Sequence, residues 1–298
     1  MAGYIGPHQM RRWLIRGTVC LTILLVAFVA GSWLSARHLT SAEPQKVGTP
    51  PADFPYPIES AAFKTRDNET IQGWFVPADS NAPAIVLLHG YRGTRRQMIQ
   101  RAKLFRSLGY AVLLYDARAC GESTGEAITF GLRERADLVA AVDLLRKRGH
   151  ERIACLGVSQ GGATILYAAD ELSDLRCVVC ESVYDDMTNA FDRRSRRLSR
   201  SPGWLTGVLV VPFAESRLDV SIDELSPVDH IGKVNCPLFV ISGDADDRAW
   251  PIDTERLFQA AREPKELWMI AGAKHEDLFR FPDYERRVIE FVQRHMVK

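Results

Sequence analysis

Residues 152–167 read Arg-Ile-Ala-Cys-Leu-Gly-Val-Ser-Gln-Gly-Gly-Ala-Thr-Ile-Leu-Tyr, and this run predicts a strand, a sharp turn at Ser159 and a helix. Gly157, Ser159 and Gly161 make a G-x-S-x-G pattern. In a turn of this kind the serine takes a strained backbone conformation, and small flanking residues let the strand and helix pack closely beneath it. The hydroxyl is then presented above the end of the sheet. The helix directs its N-terminus at the same point, so backbone N–H groups, that of Gln160 among them, can meet a developing oxyanion. Serines in glycine-rich turns also serve as plain helix caps, so the rest of the chain must decide between the two roles.

Downstream, the strand Phe239-Val-Ile-Ser ends in Gly243-Asp244-Ala245-Asp246-Asp247, and the last strand, Leu267-Trp-Met-Ile, leads into Gly272-Ala273-Lys274-His275. Both loops fall at strand C-termini, where α/β sheets gather their functional side chains. Only two histidines follow the acid cluster, and His295 lies in an amphipathic terminal helix, which selects His275. Serine, acid and histidine follow in an order that suits a triad, in which the histidine deprotonates the serine and an aspartate orients the imidazole.

Between these loops the chain alternates strands with helices, which predicts parallel βαβ units. Strands are expected at 84–89, 110–116, 152–158, 175–181, 237–243 and 266–271. Helices are expected at 95–108, 132–148, 160–171, 251–262 and 283–297. Ahead of them, alternating apolar residues in 58–64 and 71–76, with a turn at Asp67-Asn68-Glu69, predict an antiparallel hairpin at the sheet edge. Residues 183–235 break the rhythm. An insertion of that length is expected to form a cap, and it carries Arg193, Arg194, Arg196, Arg197 and Arg200 ahead of the apolar run 204–213. Those arginines make either a solvated basic face or one that meets anionic lipid headgroups.

The N-terminal residues 17–34 carry no charge and are just long enough to span a bilayer. Arg11, Arg12 and Arg16 precede them, so an uncleaved anchor would keep residues 1–16 cytoplasmic and carry the remainder across, with Trp13 and Trp33 at the interfaces. The competing expectations are a signal peptide cleaved after Ala42, leaving a secreted protein, and a twin-arginine signal at Arg11-Arg12. The organisation expected is a membrane span at 17–36, a proline-rich extended linker at 37–57 and a catalytic domain at 58–298 with its cap at 183–235.

Composition excludes several classes. The 298 residues are 46% hydrophobic, enough for a full core, and net charge is +1, which gives no nucleic-acid footprint. Six cysteines do not make a disulfide scaffold in a chain this long. Cys177 and Cys180, three apart on a strand, point to opposite faces and so disfavour a shared metal or a disulfide. No phosphate loop, dinucleotide fingerprint or metal-ligand cluster is present in the sequence, so no cofactor and no metal is indicated.

Residues 58–298 resemble the α/β-hydrolase superfamily, in particular its serine-aminopeptidase-like members, which often carry one N-terminal membrane segment. The resemblance rests on His89-Gly90-Tyr91, the loop Asp116–Ser123, Gly157–Gly161, Gly243–Asp246 and Gly272–His275. It implies a mostly parallel central sheet with helices on both faces and a helical cap. It also implies a triad of Ser159, Asp246 and His275, with Asp246 selected over Asp244 and Asp247, and an oxyanion hole from the N–H groups of Tyr91 and Gln160. The substrate class implied is a small molecule with an ester, thioester or amide bond, cleaved through an acyl-enzyme. Ala119 and Cys120 stand where the family often has glycine and histidine, and Cys120 is an accessible-thiol candidate. His89 is expected to be structural. Two rival expectations are a short-peptide peptidase using Glu181, Asp185 or Asp186 as an amine anchor, and a non-catalytic binding protein of the same fold.

Overall fold

The computed structural model describes residues 7–199 and 203–296. Residues 1–6, 200–202 and 297–298 lie outside it, as do the side chains of 197–199 and 203–206. Arg197 and Arg200 of the expected basic face, and the start of the apolar run at Trp204, fall among these.

The chain begins with helix α1 (Pro7–Thr40), which is long and apolar enough to cross a membrane. It overruns the span expected at 17–36, because no proline interrupts it before Pro44. Beyond it, a two-residue strand β1 (Glu43–Pro44) pairs in parallel with a later one, Cys120–Gly121. The expected linker is therefore extended but held down: the Glu122 carboxylate accepts the Val47 and Gly48 N–H groups, and Arg96 donates to the Val47 carbonyl. Residues 37–40 are helical rather than part of the linker.

The hairpin follows as β2 (Glu59–Lys64) and β3 (Thr70–Val76), antiparallel as its alternation predicts. Then come β4 (Ala84–Leu88), α2 (Ile99–Ser107), β5 (Ala111–Tyr115), β6 (Cys120–Gly121), α3 (Arg135–Lys147), β7 (Ile153–Val158), α4 (Gln160–Tyr167) and β8 (Cys177–Glu181). The insertion folds as α5 (Met187–Ser199), α6 (Gly203–Leu218) and the short α7 (Val228–Ile231). The chain closes with β9 (Leu238–Gly243), α8 (Pro251–Ala260), β10 (Lys265–Ile270) and α9 (Tyr284–Met296).

Eight strands form one sheet in the order β10-β9-β8-β7-β4-β5-β3-β2, parallel from β10 to β5 and antiparallel through β3 and β2. The order reverses around β4 and β7, so the loops after those strands meet at one sheet end. Strand residues alternate between two cores. Val86 and Leu88 pack with Leu138, Val142 and Leu166 on one face, and Ile85 and Leu87 pack with Phe105, Val288 and Phe291 on the other. A sheet covered on both faces needs apolar residues at every position, which explains the unbroken Ala-Ile-Val-Leu-Leu of β4. Cys177 and Cys180 follow the same alternation into opposite cores.

The insertion's α6 lies between α5 and α1. On α1 the buried residues are Ser32, Ala36 and Thr40, four apart and so on one helical face.

Candidate active site

Glycines build the turn at Ser159. A Cβ on Gly157 would stand 2.4 Å from the Gly161 carbonyl carbon, and one on Gly161 would stand 2.6 Å and 2.7 Å from the Leu88 and His89 carbonyl oxygens. These obstacles are backbone, so no side chain can swing aside. Ser159 sits at φ 52°, ψ −115°, a strained region for a residue with a Cβ. Its N–H is fixed by the Glu181 carbonyl at 2.7 Å.

The two loops singled out downstream converge on it. Gly243, at the end of β9, lets the neighbouring loop close in, since a Cβ there would lie 2.0 Å from the Ala273 oxygen. That contact brings His275 beside the acid cluster. The His275 imidazole is 2.9 Å and 3.0 Å from the Asp246 oxygens through Nδ1, and 3.0 Å from Ser159 Oγ through Nε2. With Nδ1–H donating to the carboxylate, Nε2 is left to accept the serine hydroxyl. Asp246 is buried, and its Oδ1 also accepts the Arg248 and Ala249 N–H groups. Asp244 faces outward and accepts from Gly272 N–H, and Asp247 is exposed. His295 lies on α9, against Phe291.

Tyr91 and Gln160 line the same cavity as Ser159 and His275. Among the described residues neither of their N–H groups has a backbone acceptor. His89 supports this corner: its Nε2 accepts the Ala117 N–H and its Nδ1–H donates to the Gly90 carbonyl. Burial lowers its pKa, so the neutral tautomer that these bonds require is favoured. Cys120 is fully buried, and desolvation pushes its thiol up to about 12. It is not the accessible thiol expected from the sequence, because β1 and Ile128 cover it.

Several contributors escape a reading by motif. The buried Glu134 carboxylate accepts from the Thr129 and Gly131 N–H groups, the Thr129 hydroxyl and the Gln160 side-chain amide. It thereby ties the first residue of α4 to a loop whose Phe130 ring stacks on Tyr91. The Tyr91 hydroxyl, its pKa raised by burial, donates to the Leu39 carbonyl at the end of α1. Arg92 donates to the His38 carbonyl. Two of the three expected peptide anchors are paired with arginines, Glu181 with Arg101 (and the Tyr284 hydroxyl) and Asp185 with Arg256, while Asp186 accepts from the Asn189 N–H groups. The cavity is about 490 Å³, a volume typical of small-molecule sites.

Residues 85–291 match the Alpha/beta hydrolase family. The chain belongs to that family. An esterase of Pyrococcus furiosus, Pf2001, superposes with a TM-score of 0.72 at 25% identity, over 86% of this chain and 98% of the esterase. By sequence, a Bacillus subtilis relative described as uncharacterized protein YqkD is 29% identical over 69% of this chain and 68% of its own length. The polyketide transferase grgF of a Penicillium species is 26% identical over 80% of this chain and 97% of its own. These likenesses support hydrolase activity in general.

Proposed function

We propose that this alpha/beta hydrolase family member is a membrane-anchored serine hydrolase, most simply a carboxylesterase, working through a Ser159–His275–Asp246 triad. The observation that carries the reading is the unbroken chain of hydrogen bonds from Asp246 through His275 to Ser159 Oγ. His275 takes the serine proton as Oγ attacks the acyl carbon, while Asp246 offsets the imidazolium charge. The oxyanion is met by the Tyr91 and Gln160 N–H groups. The proton then passes to the leaving oxygen, and water repeats the sequence to release the acid. An esterase among the structural neighbours supports the ester reading, and two of the three expected amine anchors, Glu181 and Asp185, are already paired with arginines.

In this reading α1 is a retained single-pass anchor with its N-terminal basic residues on the cytoplasmic side and the hydrolase domain beyond the membrane. Cleavage after Ala42 would remove the carbonyls that Tyr91 and Arg92 bind.

Hydrolysis of 4-nitrophenyl esters of graded acyl length by the full-length protein tests the proposal. Activity should fall about 10⁴-fold in Ser159→Ala and by about 10³-fold or more in Asp246→Asn, but stay near the wild-type rate in Asp244→Asn. Equal activity in wild type and Ser159→Ala would overturn the assignment.

A further inference from the structure

The anchor helix also forms a wall of the catalytic cavity. Leu39, in the last turn of α1, lines the same space as Ser159. The apolar run ends at Leu34, so at 1.5 Å per residue the cavity wall begins only about 8 Å further along the helix axis. Half the difference between a bilayer's hydrocarbon thickness and its full thickness is similar, about 5–8 Å. With α1 spanning the membrane, Ser159 is therefore served by a cavity at the level of lipid headgroups and ester carbonyls, well below the height of a free aqueous site.

The cap continues the apolar surface of α1 along that side. Helix α6 packs against α1 and against α5, and its described face includes Val208, 53% exposed, in the sequence Gly-Val-Leu-Val-Val-Pro-Phe. An apolar side chain on a helix seated against a membrane anchor meets lipid. On α5, Phe191, Ala190 and Met187 continue the cavity wall that Leu39 begins, and Arg194 stands exposed at its rim. A basic residue there matches the negative charge of a lipid headgroup. The cavity's apolar side is thus formed by α1 and by α5, and α6 packs against both.

We propose that the substrate is an acyl ester of a membrane lipid, drawn laterally from the bilayer past α1 and the α5–α6 cap, with its acyl chain along Leu39, Phe191 and Met187 and its headgroup toward Arg194. The inference rests on the serine-hydrolase reading. The chemistry needs no further component: Ser159 Oγ bonds to the ester carbonyl carbon, the carbon–oxygen bond to the alcohol breaks, the serine proton reaches that alcohol through His275, and water releases the fatty acid.

The test uses full-length protein reconstituted in phosphatidylcholine vesicles that contain a phospholipid with a pyrene-labelled acyl chain, with soluble 4-nitrophenyl acetate as the parallel substrate. Wild type should release pyrene fatty acid in a Ser159-dependent way. Val208→Asp, outside the cavity lining, should reduce that release by about tenfold while leaving 4-nitrophenyl acetate turnover unchanged. Val208→Ile, which keeps the lipid-facing surface apolar, should leave both rates near wild type. A loss of both rates in Val208→Asp identifies misfolding, and fatty-acid release by wild type and Val208→Ile then decides the proposal. Ser159-dependent turnover of the soluble ester without fatty-acid release would overturn the lipid proposal alone. So would release that is indifferent to Val208→Asp. Absence of both activities in folded protein would instead overturn the hydrolase reading.

Discussion

The two N–H groups assigned to the oxyanion hole are held in different ways. Gln160 opens α4 and is buried, its turn fixed by glycine contacts with β4 backbone and its side chain held by Glu134. Tyr91 lies on a half-buried loop whose links run outward, to the Leu39 and His38 carbonyls of α1 through its own hydroxyl and Arg92. One donor is therefore fixed by the core alone, and the other by α1 as well as by His89 and Phe130. The core half should tolerate almost no change, whereas the half held by α1 should respond in graded fashion.

Substitutions can break this contrast, beginning with the core. Gly161→Ala puts a methyl group against two backbone carbonyls that cannot move independently of β4. It should cost about 3 kcal/mol or more and abolish esterase activity, as read from thermal unfolding and initial rates. Glu134→Gln presents an amide donor to groups that are themselves donors. It should destabilise by about 1–3 kcal/mol and, with Gln160 in the proposed oxyanion hole, lower kcat more than it raises KM.

On the α1 side, Tyr91→Phe keeps the backbone N–H and loses only the bond to Leu39. A cost near 1 kcal/mol, with a fall in kcat/KM of about threefold to tenfold, is expected from steady-state kinetics. A loss as large as that of Gly161→Ala would show that the two halves are not held differently.

The smallest expected effect concerns His89. Its pKa is lowered in the folded protein by burial, while the unfolded imidazole protonates near its ordinary value of about 6.5. The folded state therefore binds fewer protons in that range: stability is fully present above pH 6.5 and is lost as pH falls through the lowered value. His89→Gln, whose amide oxygen can accept the Ala117 N–H at any pH, should show a shallower decline in melting temperature between pH 7 and pH 5. Identical slopes would remove His89 as the titrating support of the Tyr91 loop.

The core half of the site is also the half that is legible in sequence. Its determinants are local: glycines two residues either side of Ser159, a glycine three residues before Asp246, another three before His275, and apolar strands that end where those loops begin. The strands are legible for the same reason, since a sheet covered on both faces requires continuous apolar runs. The half held by α1 is not legible, because its contacts join residues far apart in the chain, 52 positions for Tyr91 with Leu39 and 75 for Glu122 with Val47. Nothing in the run of prolines after Thr40 announces that it will be pinned to the domain. The expectation of an accessible Cys120 fails on the same ground, since the strand that covers it comes from that segment. Glu134 looks like any acid near a helix start, and only the fold shows four donors converging on it.

The central claim is that Ser159 is the activated nucleophile of this chain. Intact-mass and peptide mass spectrometry after brief exposure to a fluorophosphonate tests it most directly. The account predicts one adduct per chain, located at Ser159, formed by wild type and absent from folded Ser159→Ala. An adduct at another residue, or folded wild-type protein that stays unlabelled, would contradict it.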